Sequence, residues 1–267
     1  MPSTVERAVT RWTSRAGISV EIRGTGDPVL LMHGIGGSAR TCVRLAEILA
    51  DNGYQSLCWD APGYGRSADP VGRVELDAAV DELLDELGLP SAHLFGTSWG
   101  GVIATAVALR FPHRVRSITL ADSTRGSATS PQKADGMRER VVELRTLGAD
   151  AFADRRAPRL VSQRCDPAIA TAVRTDMARV RTPGYTVAAD HMASTDHGPR
   201  LHLIARPTLI VVGADDVVTG VDESRLLADA IPGARLGLVV DAGHAAVQER
   251  PDAVAAHVLP FLREVVR

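Results

Sequence analysis

The stretch Gly96-Thr97-Ser98-Trp99-Gly100-Gly101 follows an apolar run at 92–95 and precedes another at 102–110. It is a G-x-S-x-G pattern sitting where a strand should turn sharply into a helix. A serine that is to attack must stand exposed on a strained turn. Glycines two residues before and after it let strand and helix pass close together. The helix N-terminus then directs free N–H groups and the positive end of its dipole at any anion forming beside the serine. Five residues of this kind also arise by chance, so Ser98 needs a base, an acid and oxyanion donors elsewhere in the chain.

The rest of the pattern predicts a parallel sheet. Short β-rich runs alternate with helical stretches, which is the rhythm of strands joined by crossover helices. Strands are expected at 18–22 (an edge strand), 29–32, 55–59, 92–95, 117–121, 208–212 and 236–240. Helices are expected at 42–50, 76–87, 102–110, 223–230 and 253–266, the last kinked or interrupted at Pro260. Between 124 and 205 no clean strand can be found. Helical pieces at 137–147 and 169–180 fit there, with breaks at Gly148, Pro158, Pro167 and Pro183-Gly184. The expected organisation is one α/β core in two segments, 1–123 and 206–267, with a helical insertion at 124–205.

With 267 residues, 45% of them hydrophobic, the chain can bury a large core. A net charge of −2 and 4% aromatics argue against nucleic acid as a partner. No apolar run reaches membrane-span length and the N-terminus lacks a secretory pattern, so a cytoplasmic protein off the membrane is expected. Cys42, Cys58 and Cys165 have neither zinc nor redox spacing and read as structural thiols. No metal or cofactor is expected. Charge is uneven: residues 124–205 carry 12 Arg and one Lys against seven Asp and two Glu, a net +4, leaving the remainder at −6. Two explanations are open. The insertion attracts an anionic substrate, or its arginines solubilise exposed helices.

A serine hydroxyl needs a base to take its proton. Of eight histidines, His244 alone combines a loop after a strand, a small-residue setting and a place C-terminal to a candidate acid. The acid must hold the imidazole tautomer and stabilise its cation. Asp216 is the preferred choice over Asp215, its neighbour after strand 208–212, and over Asp122, which ends the strand before the insertion. The oxyanion needs two N–H donors. Trp99 supplies one, and the loop His33-Gly34-Ile35-Gly36-Gly37 the other, with Ile35 ahead of Gly34. That loop lacks a P-loop lysine and the third glycine of a dinucleotide fingerprint. His33 is expected to pin the loop. Gly34, Trp99 and His191 are candidate substrate contacts, with Trp99 equally a packing residue.

Five motifs now stand in order: His33–Gly37, Asp60-Ala61-Pro62-Gly63-Tyr64-Gly65-Arg66-Ser67, the Ser98 pattern, Gly213-Ala214-Asp215-Asp216 and Gly243-His244. With them the chain resembles the α/β-hydrolase superfamily over almost the whole core. The resemblance implies an eight-stranded, mostly parallel twisted sheet flanked by helices, with a helical cap after strand 6. It also implies a Ser98–Asp216–His244 triad. In family members the acid begins a D-x-h-x-P pattern, which favours Asp216, although Gly220 stands where proline is common. The Asp60–Ser67 stretch resembles the family's tight structural turn. Epoxide hydrolases and haloalkane dehalogenases carry aspartate at the Ser98 position, so acyl transfer to water is expected. The insertion, through Pro183–Ala189 and Arg206–Ile210, is similar to the cap of 3-oxoadipate enol-lactonases, which open a carboxylate-bearing lactone. A small ester or lactone is therefore the expected substrate, for a monomer or homodimer. The rivals are a carbon–carbon bond hydrolase, a cofactor-free perhydrolase or haloperoxidase, and a non-enzymatic ligand receptor on the same fold.

Overall fold

A computed structural model describes residues 9–265. Eight strands form one sheet in the order β1-β2-β4-β3-β5-β6-β7-β8. They are β1 (Thr10–Thr13), β2 (Ser19–Arg23), β3 (Asp27–Met32), β4 (Tyr54–Trp59), β5 (Ala92–Thr97), β6 (Val115–Ala121), β7 (Thr208–Gly213) and β8 (Arg235–Val239). β2 pairs antiparallel with β1 and β4, and all other pairings are parallel. The strand expected at the edge, β2, is therefore an inner strand. β1 covers it, and its sequence Thr-Arg-Trp-Thr is too short and polar to announce a strand.

Central strands are apolar on both faces because both faces are covered. In β3, Leu30 and Met32 enter one hydrophobic core, while Val29 and Leu31 enter the other. Helices α1 (Val43–Asp51) and α9 (Pro251–Val265) fill the second core through Leu45, Leu49, Val258 and Phe261. Helices α2 (Leu76–Glu86), α3 (Trp99–Arg110) and α7 (Gly220–Ala230) pack on the first, through Val80, Ile103 and Leu227. A one-turn helix α8 (Ala246–Glu249) precedes α9. Pro260 lies within α9.

Between β6 and β7 the described chain is helical, and its apolar residues join the first core. Helix α4 (Pro131–Arg156) bends at Gly148, whose φ of 76° interrupts it at the expected break. Helix α5 spans Pro167–Met177 and α6 Thr182–Ser194. Pro183-Gly184 does not break the segment as expected but lies in the first turn of α6. A proline there removes only an N–H that has no acceptor within the helix. Gly184 lets α6 rest on the Asp60–Ser67 turn, where a Cβ would stand 2.4 Å from the Gly63 carbonyl oxygen. No described helix is long and apolar enough to cross a membrane.

Candidate active site

Parallel strands end at one edge of the sheet, and the loops there carry Ser98, Asp216 and His244. Ser98 joins β5 to α3 with φ 52° and ψ −117°, a conformation costly for a residue with a Cβ. Hydrogen bonds hold it there. Its N–H donates to the Ala121 carbonyl at 2.8 Å, and its carbonyl accepts from Gly101 N–H at 3.0 Å and from the Ser123 hydroxyl at 2.8 Å. The flanking glycines are there for space. A Cβ on Gly96 would lie 2.3 Å from the Gly100 carbonyl carbon, and one on Gly100 2.2 Å from the Met32 carbonyl oxygen.

His244 follows β8, and its Nε2 lies 3.0 Å from Ser98 Oγ. Its Nδ1 lies 3.0 Å from Asp216 Oδ2. Asp216 Oδ1 accepts from the N–H groups of Val218 at 2.7 Å and Thr219 at 3.2 Å, and the Thr219 hydroxyl donates to Oδ2 at 2.6 Å. Burial alone would raise the Asp216 pKa. The bonds from His244, Thr219 and Val218 together outweigh it and bring the pKa down to about 2. Of the other two acids, Asp215 is exposed, while Asp122 is buried and turned to the sheet. Asp122 Oδ1 accepts from Gly213 N–H at 2.8 Å, and its Oδ2 is buried without a partner. Burial first, and then the charge of Asp216, push the Asp122 pKa well up.

The loop after β3 passes directly beside Ser98. A Cβ on Gly34 would lie 3.0 Å from that of Ser98. Gly37 N–H closes a turn on the Gly34 carbonyl at 3.1 Å, with Gly36 at φ 89° in its third position. His33 holds this loop. Its Nδ1–H donates to the Gly34 carbonyl at 2.8 Å, and its Nε2 accepts from Ala61 N–H at 3.0 Å. Burial lowers its pKa, in keeping with a neutral ring. The Trp99 N–H opens the first turn of α3, where backbone donors have no acceptor within the helix.

Two expected substrate contacts fall elsewhere. Neither the Trp99 side chain nor His191 lines a cavity that reaches Ser98. The indole is buried between Tyr64 and His33, and its Nε1–H needs an acceptor. His191 on α6 supplies one with Nδ1 at 3.2 Å. Burial, then repulsion from His197, lowers the His191 pKa to about 4, so the ring is neutral and free to accept. Gly34 does line a cavity at Ser98.

Several residues at the site could not be singled out from the sequence. Thr219 is one, although an Asp followed three residues later by Thr is a legible turn signal. Glu249 is another. This buried carboxylate accepts from Gly243 N–H at 2.8 Å, from Ser162 N–H at 3.0 Å and from the Ser162 hydroxyl at 2.7 Å. It thereby joins the loop carrying His244 to the helical segment, and Ala245 N–H adds a bond to the Leu160 carbonyl at 2.7 Å. Glu249→Ala leaves these donors buried and unpaired, so chemical denaturation should show a loss of about 3 kcal/mol, with Glu249→Gln losing less.

Beneath α4 and α6 a cavity of about 330 Å³ opens onto Ser98 and His244. Its wall includes Arg140, Arg156, Arg159 and Lys133. Arg156 pairs with Glu143 at 2.9 Å, and the cavity's one acid, Glu223, pairs with Arg125 at 3.0 Å. Arg140 lies against the Tyr185 hydroxyl, and burial, with Arg156 and Arg159 adding to it, lowers its pKa. Among the described residues Arg140, Arg159 and Lys133 make no ion pair. No described cluster of three His, Cys, Asp or Glu residues is placed to hold a metal.

The chain is similar to known proteins over most of its length. The 3-oxoadipate enol-lactonase 2 of Acinetobacter baylyi is 30% identical over 206 residues, 75% of each chain. A 2-hydroxy-6-oxononadienedioate/2-hydroxy-6-oxononatrienedioate hydrolase of Cupriavidus pinatubonensis is 31% identical over 260 residues, covering 88% of this chain and 86% of that one. A thermophilic esterase from Thermogutta terrifontis, solved with malate bound, superposes with a TM-score of 0.87 at 28% identity, covering 97% of this chain and 99% of the other. The family model described as alpha/beta hydrolase fold matches residues 27–251, and the chain belongs to that family of hydrolases.

Proposed function

We propose that the protein hydrolyses a small ester or lactone bearing an anionic group, through an acyl-serine intermediate. The observation that carries this reading is the unbroken row from Ser98 Oγ through His244 to Asp216, with both contacts at 3.0 Å. In the proposed reaction His244 Nε2 takes the Ser98 proton as Oγ attacks the carbonyl carbon. Asp216 holds Nδ1–H and stabilises the imidazolium. The backbone N–H groups of Ile35 and Trp99 receive the oxyanion. Water then repeats the sequence on the acyl-serine. The helical segment 124–205 acts as a lid over the reacting atoms.

The anionic group is read from the cavity wall. Half-buried Arg140 and the exposed Arg159 and Lys133 line, without carboxylate partners, a space large enough for a small acid, and the unpaired, half-buried cation of Arg140 favours an anion. The relatives fit this: one is named for an enol-lactone and another for a dienedioate, and the esterase was solved with malate. The dienedioate hydrolase keeps carbon–carbon cleavage as a second reading, because the same relay would serve it.

The test is a panel of dicarboxylic acid monomethyl esters, neutral methyl esters, lactones and dienol-ketone acids, followed by acid release. The anionic esters or lactones should turn over best. Arg140→Ala should then raise KM for them by about 10- to 100-fold, the worth of a charge-assisted hydrogen bond, and leave neutral esters nearly unchanged. Equal effects on both would remove the anionic group from the proposal. Turnover of the dienol-ketone acids alone would replace ester with carbon–carbon cleavage.

A further inference from the structure

A base that takes a proton and gives it back must keep its place beside Ser98 Oγ throughout. The backbone carrying His244 is held differently from that of Ser98. The Ser98 turn is tied within the core, to Ala121 and Ser123. The His244 loop starts from another left-handed residue, Asp241 at φ 55°. On its core side, Asp215 N–H donates to the Ala242 carbonyl at 2.9 Å. The peptide groups flanking His244 turn instead toward the helical segment. Ala245 N–H donates to the Leu160 carbonyl at 2.7 Å. Gly243 N–H donates to Glu249 Oε1 at 2.8 Å. Ser162 N–H is shared between Oε2 and Oε1 of Glu249 at 3.0 and 3.2 Å, and the Ser162 hydroxyl donates to Oε2 at 2.7 Å. The two segments also touch closely: a Cβ on Gly243 would stand 2.7 Å from the Ser162 nitrogen.

Glu249 makes this link stiff. Its side chain is buried, so its hydrogen bonds must be made for it to stay there. If residues 160–162 move away from the core, the carboxylate loses both Ser162 donors and Ala245 N–H loses its acceptor in the same step. The loss falls on both sides of His244 at once. Leu160 also lines both cavities that reach Ser98 and His244. A substrate resting on Leu160 therefore bears on the same stretch of chain that holds the base.

We infer that Glu249 and Ser162 are positioning residues for His244, an inference that rests on the acyl-serine reading above. Neither lines a cavity at Ser98, so both act through the loop. The seated helical segment fixes Ser162, Ser162 fixes the Glu249 carboxylate, and the carboxylate fixes the Gly243 peptide from which His244 projects. Nε2 is then in line to take the proton from Ser98 Oγ and later from water. When the segment lifts, Asp216 and Asp215 still hold the loop, but the peptides flanking His244 gain play. The base is aligned best with the segment closed over substrate, which couples substrate enclosure to proton transfer.

The experiment compares wild type, Ser162→Ala, Glu249→Gln, their double variant and Arg174→Ala, each shown by circular dichroism to be folded at the assay temperature. Two probes report on His244: kcat for p-nitrophenyl acetate, and the maximal rate of labelling by a fluorophosphonate. Glutamine keeps one oxygen but turns an amide toward the N–H donors, which displaces the loop. A shift on the order of 1 Å can cost 100-fold, so Glu249→Gln should lower both rates by about 10- to 100-fold with KM little changed. Ser162→Ala loses one hydrogen bond and should lower them by about 3- to 10-fold. The double variant should be little worse than Glu249→Gln, because both act through one link. The low-field proton resonance of the His244 Nδ1–H bond to Asp216 should shift or broaden in the same variants. Arg174→Ala loses ion pairs to Asp150 and Asp154 inside the helical segment and should keep wild-type rates. A merely structural link would lower the melting temperature and leave kcat and labelling unchanged. That result, with Ser98→Ala still inert, overturns the positioning role and leaves the acyl-serine reading standing. If Glu249→Gln does not fold, Ser162→Ala decides by the same rates. A wild type inert to both probes, or a Ser98→Ala variant as reactive as wild type, overturns both readings.

Discussion

Ser98→Ala should lower kcat by on the order of 10⁶-fold, and His244→Ala by a similar factor, because in the proposed reaction they act as a unit, as nucleophile and base. The double variant should be little worse than either single one. Labelling by a fluorophosphonate, which needs the activated hydroxyl, should vanish in both. The elbow adds a second, opposite effect. Ser98 sits at φ 52°, where a Cβ is strained by about 1–3 kcal/mol. Alanine keeps the Cβ and should leave stability nearly unchanged. Ser98→Gly should remove the same activity and yet raise the unfolding free energy, since glycine takes positive φ without that strain. Inactive Ser98→Ala together with stabilised Ser98→Gly would show that the strain is kept for the reaction. If Ser98→Ala keeps wild-type turnover, the nucleophile lies elsewhere.

What could be read along the chain differs from what could not by the range of the interaction. The elbow's signature is local: Gly96 and Gly100 stand within five residues of sequence, although only Gly96 makes room within the turn itself and Gly100 makes room for the Met32 carbonyl of β3. The central strands are legible because burial on both faces leaves only apolar residues, as in β3 and β7. β1 escapes because pairing on the sheet's margin asks little of side chains that stay exposed. The start of α6 is misread because Pro183-Gly184 signals a break equally well at the end of a helix and at the beginning of one. Long-range choices are the hardest. Glu249 reaches Ser162 across 87 residues, and Trp99 reaches His191 across 92. Nothing local tells these side chains that they will meet. Arg140 is one of 12 arginines in its segment, and most of the others become surface ion-pair partners, as Arg138, Arg155 and Arg174 do. The charge excess was visible, but not which arginine would face the cavity.

Asp216→Asn should cost about 10⁴-fold in kcat with KM little changed, because asparagine no longer fixes the imidazole tautomer or balances its charge. Asp122→Asn should cost less than about 10-fold, since its bond to Gly213 N–H needs only one oxygen, which asparagine retains. This pair separates two buried carboxyls that both end strands at the same sheet edge. The pH dependence separates them again. In the folded protein Asp216 titrates at about 2, below its ordinary value of 3.8. The unfolded chain therefore binds this proton first as acid is added. The stabilisation is fully present above about pH 4 and is lost as pH falls toward 2. Burial raises the Asp122 pKa instead, so its proton is taken up on folding and its contribution runs the other way. Denaturation of wild type between pH 4 and pH 2 should thus lose stability more steeply than Asp216→Asn. Asp122→Asn should lose stability at least as steeply as wild type in that window. If Asp122→Asn is the inactive variant and Asp216→Asn the active one, the acid of the relay belongs to β6, and the 3.0 Å contact of Asp216 with His244 is structural.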